Sequence, residues 1–258
     1  MELTPLQYGF GGVSGALVGF VLGLVGGGGS ILAVPLLLYF VGLKEPHQAI
    51  GTSALAVAAN ALAGLWSHAR AHTVNWRCGG IYAAAGVAGA LGGSTVGKNM
   101  DGRQLLLLFA LLMVAVAILM FRGRDQEGIE GAQCNRDNIA KVIGYGFGTG
   151  AFSGFFGIGG GFLIVPGLVA STAMPILRAI GTSLVAVAAF GLATAFNYAA
   201  SGLVLWPLAG VFILGGIAGS MAGTAAARRL AAYQGRLNTV FAAFILLVAL
   251  YMLYQSRA

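Results

Sequence analysis

The sequence predicts an all-α polytopic membrane protein of two homologous, inverted repeats, each a glycine-broken helical hairpin followed by three transmembrane helices. Three observations predict it. The chain is 58% hydrophobic and only 8% charged, where soluble domains carry about 25% charged residues. Two motifs occur twice: GGGGSILAVP at Gly26–Pro35 returns as GIGGGFLIVP at Gly157–Pro166, and AIGTSALAV at Ala49–Val57 returns as AIGTSLVAV at Ala179–Val187. Each copy also interrupts a long apolar stretch with glycine. Such a duplication sets the architecture, and broken hydrophobic segments in matching places of two halves point to a secondary transporter's binding site.

Apolar segments fall at about 6–43, 47–67, 77–97 and 104–121, and again at about 139–173, 176–200, 205–226 and 236–254. Most approach the roughly 20 residues of a spanning helix. The first segment of each set is too long for one such helix and too short for two. The glycine cluster divides it into about 20 residues before the break and 10–14 after. Phe121 to Asn138 is polar and mixed in charge. The expected organisation is therefore an N-terminal repeat over 1–121, a cytoplasmic linker over 122–138 and a C-terminal repeat over 139–258. With no basic n-region and no small-residue cleavage site, residues 6 onward read as mature membrane structure.

Glycine stripes repeat as well. Gly11, Gly15, Gly19 and Gly23 share one helix face, and Gly146, Gly150 and Gly154 match the last three. Gly89, Gly93 and Gly97 correspond to Gly215, Gly219 and Gly223. These read as packing surfaces, where small residues let helix backbones approach in lipid. They allow a homodimer without demanding one.

Lysine and arginine counts discriminate between topologies. If each broken segment crosses the membrane, the 14 basic residues divide seven against seven. If each broken segment returns to its own side, they divide ten against four, with Lys44, Lys98, Arg103 and Arg257 in the minority. Only the second satisfies the positive-inside rule. It places the linker in the cytoplasm and both termini in the periplasm.

The candidate substrate site follows from the breaks. Irregular backbone at membrane depth survives only where it is buried or lines a cavity. The runs after each break read as half-helices whose first N–H groups lack intrahelical partners. Glycine lets an anion approach them, and the helix dipole favours negative charge there. Gly26, Gly27, Gly28, Gly29 and Ser30 in one half, and Gly157, Gly159, Gly160 and Gly161 in the other, are expected to bind one anion near the midplane. Thr52, Ser53, Thr182 and Ser183, inside the two AIGTS segments, are expected to line the same cavity; the alternative for such hydroxyls is a bond to the carbonyl one turn back.

Asn60 and Asn197 are single amides in apolar helices, read either as cavity lining or as interhelical bonds. His68 and Arg70, with Arg178, form basic patches at segment ends that would concentrate anions. A metal is not expected, since no Asp, Glu or Cys accompanies His68 and His72. All seven acids lie outside the spans, so no intramembrane proton relay is visible. Cys78 and Cys134, far apart in sequence, indicate neither a disulfide framework nor a zinc site. Gly92–Asn99 (GGSTVGKN) is one residue short of a phosphate loop and ends a hydrophobic helix, which excludes an ATPase. No catalytic constellation or cofactor motif is present, and no nucleic-acid module.

At its two glycine breaks and two AIGTS segments (Ala49–Ser53 and Ala179–Ser183), the chain resembles the TauE/SafE sulfite exporter family along essentially its whole length. The resemblance implies a multi-pass carrier of the bacterial cytoplasmic membrane, not an enzyme, whose partners are the lipid bilayer and a small sulfur-containing anion: sulfite, an organosulfonate such as sulfoacetate, or thiosulfate. An anion channel of the same architecture is the alternative. A membrane subunit of a sulfur-metabolising enzyme, with Cys78 as its nucleophile, is a more distant one.

Overall fold

The computed structural model describes residues 3–25, 27–122, 134–229 and 234–257. Gly26 and linker residues 123–133 lie outside them. Among the described residues there are helices and no strands. Helix α1 spans Pro5–Val25, and α2 covers 27–40 as a 3₁₀ stretch (Gly27–Leu32), an α turn (Ala33–Pro35) and a π stretch (Leu36–Phe40). Then follow α3 (Pro46–Arg70), α4 (Trp76–Lys98), α5 (Gly102–Arg122), α6 (Ile139–Phe156), α7 (Gly161–Thr172), α8 (Ile176–Ala199), α9 (Trp206–Arg229) and α10 (Gln234–Arg257).

Local chemistry fixes the boundaries. Pro46 opens α3 at a position where its missing N–H costs nothing. The Asn75 side chain caps α4 by accepting from Cys78 N at 3.1 Å. Asp101 caps α5, accepting from Arg103 N at 2.9 Å and Gln104 N at 3.3 Å.

Among the described residues, four helices are long and apolar enough to cross a membrane, on segments Pro5–Leu24, Pro46–Arg70, Arg178–Ala199 and Trp206–Gly223, and shorter apolar helices accompany them. Leu17, Phe147, Phe196 and Leu214 are exposed on the outside, as a lipid-facing surface requires. Trp66, Trp76 and Trp206 are exposed near helix ends, where aromatic rings anchor at the membrane interface.

Both broken segments turn back. The Gln7 side chain donates to Val41 O at 3.3 Å, and the Phe10 and Phe40 rings lie 4.8 Å apart, so α2 ends beside the start of α1. In the second half, Gly167 of α7 sits against the Tyr82 hydroxyl and Thr149 of α6. Thr149 lies eight residues before Gly157 and Gly167 seven after Gly160, so α7 retraces α6.

The glycine stripes pack as expected, but crosswise between the halves. Gly15 and Gly19 of α1 rest on the carbonyls of Phe212 and Gly216 in α9, while Gly219 and Gly223 rest on those of Ala16 and Phe20. Gly150 and Gly154 of α6 meet the carbonyls of Gly86 and Ala90 in α4, and Gly93 and Gly97 meet those of Ala151 and Phe155. Residue numbers rise together in both pairs, so α1 runs parallel to α9 and α4 parallel to α6. Between them α3 and α8 run antiparallel: Gly191 faces Ala54 and Ala58, and Gly64 faces Leu184. Helices α5 and α10 pair on the outside.

One expectation is corrected. Cys78 and Cys134 form a disulfide, with Cα atoms 5.4 Å apart across 56 residues of sequence, and both are buried. The glycine-tight contact of α4 with α6 brings the first turn of one beside the residue leading into the other. That juxtaposition is tertiary, so spacing along the chain did not reveal it.

Candidate functional site

The second break is the best-defined irregular backbone in the interior. Gly157 ends α6 in the left-handed region, with its N–H on Gly154 O at 3.3 Å. Gly159 and Gly160 are also left-handed, with φ of 65° and 66°, a conformation that costs other residues about 1–2 kcal/mol. Helix α7 then starts with Leu163 N and Ile164 N both donating to Gly160 O, at 2.9 and 3.0 Å. Among the described residues, nothing accepts from the N–H groups of Gly159, Gly160, Gly161 or Phe162. All four residues are buried.

The surroundings are apolar with two hydroxyls. A side chain on Gly159 would meet Val57 Cγ1 at 2.8 Å and Val187 Cγ1 at 3.4 Å. These valines are the twelfth residues of α3 and α8, so Gly159 sits halfway along the central helix pair. Ser53 donates to Ile50 O at 2.9 Å and approaches Gly157 O at 3.3 Å. Ser153, fully buried beside Gly160, has no hydrogen-bond partner among the described residues. A water-excluded set of unpaired N–H donors beside a free hydroxyl is chemically an anion receptor.

The first break is built differently. Gly26 lies outside the described residues, and Gly27–Leu32 continues as 3₁₀ helix instead of a left-handed turn. Gly29 faces the backbone of Leu22 and Gly160 the side chain of Ser153, pairs of positions that correspond at an offset of 131 residues. Gly29 and Ser30 are buried, and the 3₁₀ stretch of α2 packs against α7 and α8.

The hydroxyls of the AIGTS segments divide by residue type. Ser183 donates to Ile180 O at 2.7 Å, one turn back, as Ser53 does to Ile50. Thr52 Oγ1 accepts from Leu205 N at 3.0 Å and Thr182 Oγ1 from Asn75 N at 2.9 Å. Each threonine thus holds the residue preceding a helix of the other half, α9 or α4, at opposite ends of the molecule. Replacing Thr52 or Thr182 by Val leaves a part-buried N–H unpaired, worth up to about 1–3 kcal/mol each. Thermal unfolding in detergent should show both losses, and show them additively because the sites are far apart.

The remaining expected residues are scattered. Asn60 is fully buried against Gly216 of α9, and neither amide atom has a partner among the described residues. Asn197 is an interhelical bridge: its Nδ2 donates to Ser94 Oγ at 2.6 Å and Thr95 Oγ1 at 3.0 Å, and its Oδ1 accepts from Lys98 Nζ at 2.7 Å. The His68 Nδ1 lies 2.9 Å from Thr73 Oγ1, and Arg70 stacks 4.7 Å over Trp66. Arg178 is half-buried at the start of α8. Sequence reasoning missed Ser153. The available signal was its mismatch within the duplicated frame, where the equivalent residue is Leu22; Asn60 likewise faces Phe190 across the repeat.

The TauE/SafE sulfite exporter profile matches residues 12–252. The chain belongs to this family. Similar proteins include a probable membrane transporter protein of Xylella fastidiosa strain 9a5c, 51% identical over 95% of this chain and 94% of its own length. Another is the probable membrane transporter protein MJ0441 of Methanocaldococcus jannaschii, 31% identical over 65% of this chain and 64% of its own. The probable membrane transporter protein YunE of Bacillus subtilis is 27% identical over 84% and 88%. No solved structure matches the chain significantly. Family membership and the helical architecture make this a multi-pass membrane protein of the transporter class.

Proposed function

We propose that this protein is a secondary carrier of the bacterial cytoplasmic membrane that moves a small sulfur-containing oxyanion, sulfite, an organosulfonate or thiosulfate, by alternating access. One observation carries the reading: four buried N–H groups, Gly159 to Phe162, at the middle of the central helix pair, without acceptors among the described residues. They offer a neutral, donor-rich socket suited to a tetrahedral or pyramidal oxyanion. Ser153 and Ser53 would complete it from α6 and α3, and the Gly27–Ser30 stretch would approach from the other half. The inverted reading of the halves 1–121 and 139–258 draws support from the returning hairpins and from the parallel pairing of α1 with α9 and α4 with α6. Two bundles related in this way can rock about a fixed midplane site.

The test is flux of sulfite, sulfoacetate and thiosulfate into proteoliposomes. Saturable uptake with counter-exchange is expected. Single-channel currents would replace the carrier by a channel, and no flux of any sulfur anion would remove the substrate class.

For orientation we take the ten-to-four charge bias, which puts the linker face in the cytoplasm and both termini outside. A C-terminal alkaline phosphatase fusion should then be active, and a C-terminal green fluorescent fusion dark. On this reading Cys78 and Cys134 face a reducing compartment, so the pair should be dithiol in growing cells and disulfide only after isolation. Active green fluorescence at the C-terminus reverses both statements.

A further inference from the structure

We propose that His47 is the proton-binding residue of this carrier, taking up on Nδ1 the proton that accompanies the anion. The inference rests on the carrier reading above. His47 lies in the first turn of α3, at the end away from the linker, and its Nε2 is 3.1 Å from Met100 O. A carbonyl can only accept, so Nε2 carries the hydrogen and Nδ1 presents its lone pair. That Nδ1 is buried and has no partner among the described residues.

The group opposite is also unsatisfied. The Tyr198 ring of α8 lies 6.4 Å from the imidazole, centroid to centroid. Its hydroxyl is buried and without a partner among the described residues, as is Gln48 Oε1 on the same turn as His47. Unmade hydrogen bonds on buried polar atoms are costly. Three of them at one helix end mark a place that gains partners during function. An added proton on Nδ1 would turn an orphan acceptor into a donor.

The position suits exchange with solvent. His47 lines a cavity of ≈ 720 Å³ between α3, the start of α5, the end of α2 and the end of α10. The charged and titratable groups around it are Lys44 and Glu45 on the loop before α3, Asp101 and Arg103 at the start of α5, and Tyr39 of α2; α10 contributes the neutral Gln255. Along α3, His47 is six residues from Ser53, about 9 Å of helix, and Ser53 touches the second break. Imidazole is the side chain that changes charge within the physiological range, and the spans hold no carboxylate to do it instead.

The test uses full-length protein and methanesulfonate, a sulfonate that does not itself titrate near neutrality. In proteoliposomes with an entrapped pH dye, inward methanesulfonate should carry protons with it and acidify the interior. His47→Gln should lose that acidification at least tenfold, whereas His72→Gln, at the opposite end of α3, should track wild type. In parallel, nitrogen-15 spectra of histidine-labelled wild type, assigned by removing His68 and His72 in turn, should show His47 as the Nε2–H form in alkaline buffer and with a second proton on Nδ1 in acidic buffer. Acidification by His47→Gln at the wild-type ratio, anion uptake by wild type without protons, or an invariant His47 signal overturns the proposal. The spectra need no substrate. A wild type that moves no sulfur anion while His47 titrates therefore defeats the carrier reading, and an invariant His47 beside working flux defeats only this one.

Discussion

Gly159→Leu should abolish anion flux in proteoliposomes while leaving a folded protein. Three effects converge there. The residue has a φ of 65°, which any side chain tolerates poorly. The first side-chain carbon would press on Val57 and Val187, and the rest of a leucine must then occupy the space in front of the unpaired N–H groups. Losing one aligned donor in comparable oxyanion sites costs about 10²–10³ in rate, so flux should fall at least about a hundredfold. Size-exclusion profile and melting temperature in detergent separate this from collapse. Unchanged flux in a folded Gly159→Leu protein would mean that the break serves packing alone, and the proposed site would be wrong.

The second large effect concerns stability. Gly150→Leu places a side chain where the Gly86 carbonyl already sits. Overpacking usually costs about 1–3 kcal/mol because side chains can shift. Here the obstacle is backbone of a parallel helix, and it cannot move without parting α4 from α6. Loss of monodisperse protein is expected. Gly148, two residues earlier on the same helix, has open space around it. Gly148→Leu should melt within a few degrees of wild type, and it isolates the contact from the general effect of enlarging a glycine in lipid. Equal behaviour of the two variants would show that the stripe does not hold the halves together.

Much of this fold was legible because membrane proteins write their elements as hydrophobic runs. The eight apolar segments correspond to the described helices, and the two glycine clusters fall where the long segments break. The stripes were readable as packing surfaces, since only small residues explain a glycine every four positions. Their partners were not. That the glycine face of α1 meets α9 depends on contacts 197 residues apart, for which a single sequence has no signal. The same limit hid the Cys78–Cys134 bridge and the roles of Thr52 and Thr182 across the halves. Within the site, the glycines were found by repetition, and repetition then concealed Ser153: a residue that differs between copies looks like drift until the structure puts its hydroxyl beside Gly160. His47 was hidden for a third reason. Its importance lies in what its second nitrogen lacks, and composition does not record an unmade bond.

The crossed pairing of α1 with α9 also has a consequence for biosynthesis. Gly15 cannot find the Phe212 carbonyl until 197 further residues (212 − 15) have been made. At about 5–20 residues per second, that is roughly 10–40 s. For that interval α1 sits in the bilayer with its small-residue face uncovered, open to lipid, to an insertase or to a neighbouring nascent chain. A ribosome that stalls before α9 would leave a first half with no surface on which to close. Separately expressed halves should accordingly accumulate only when made together, each acting as the membrane chaperone of the other.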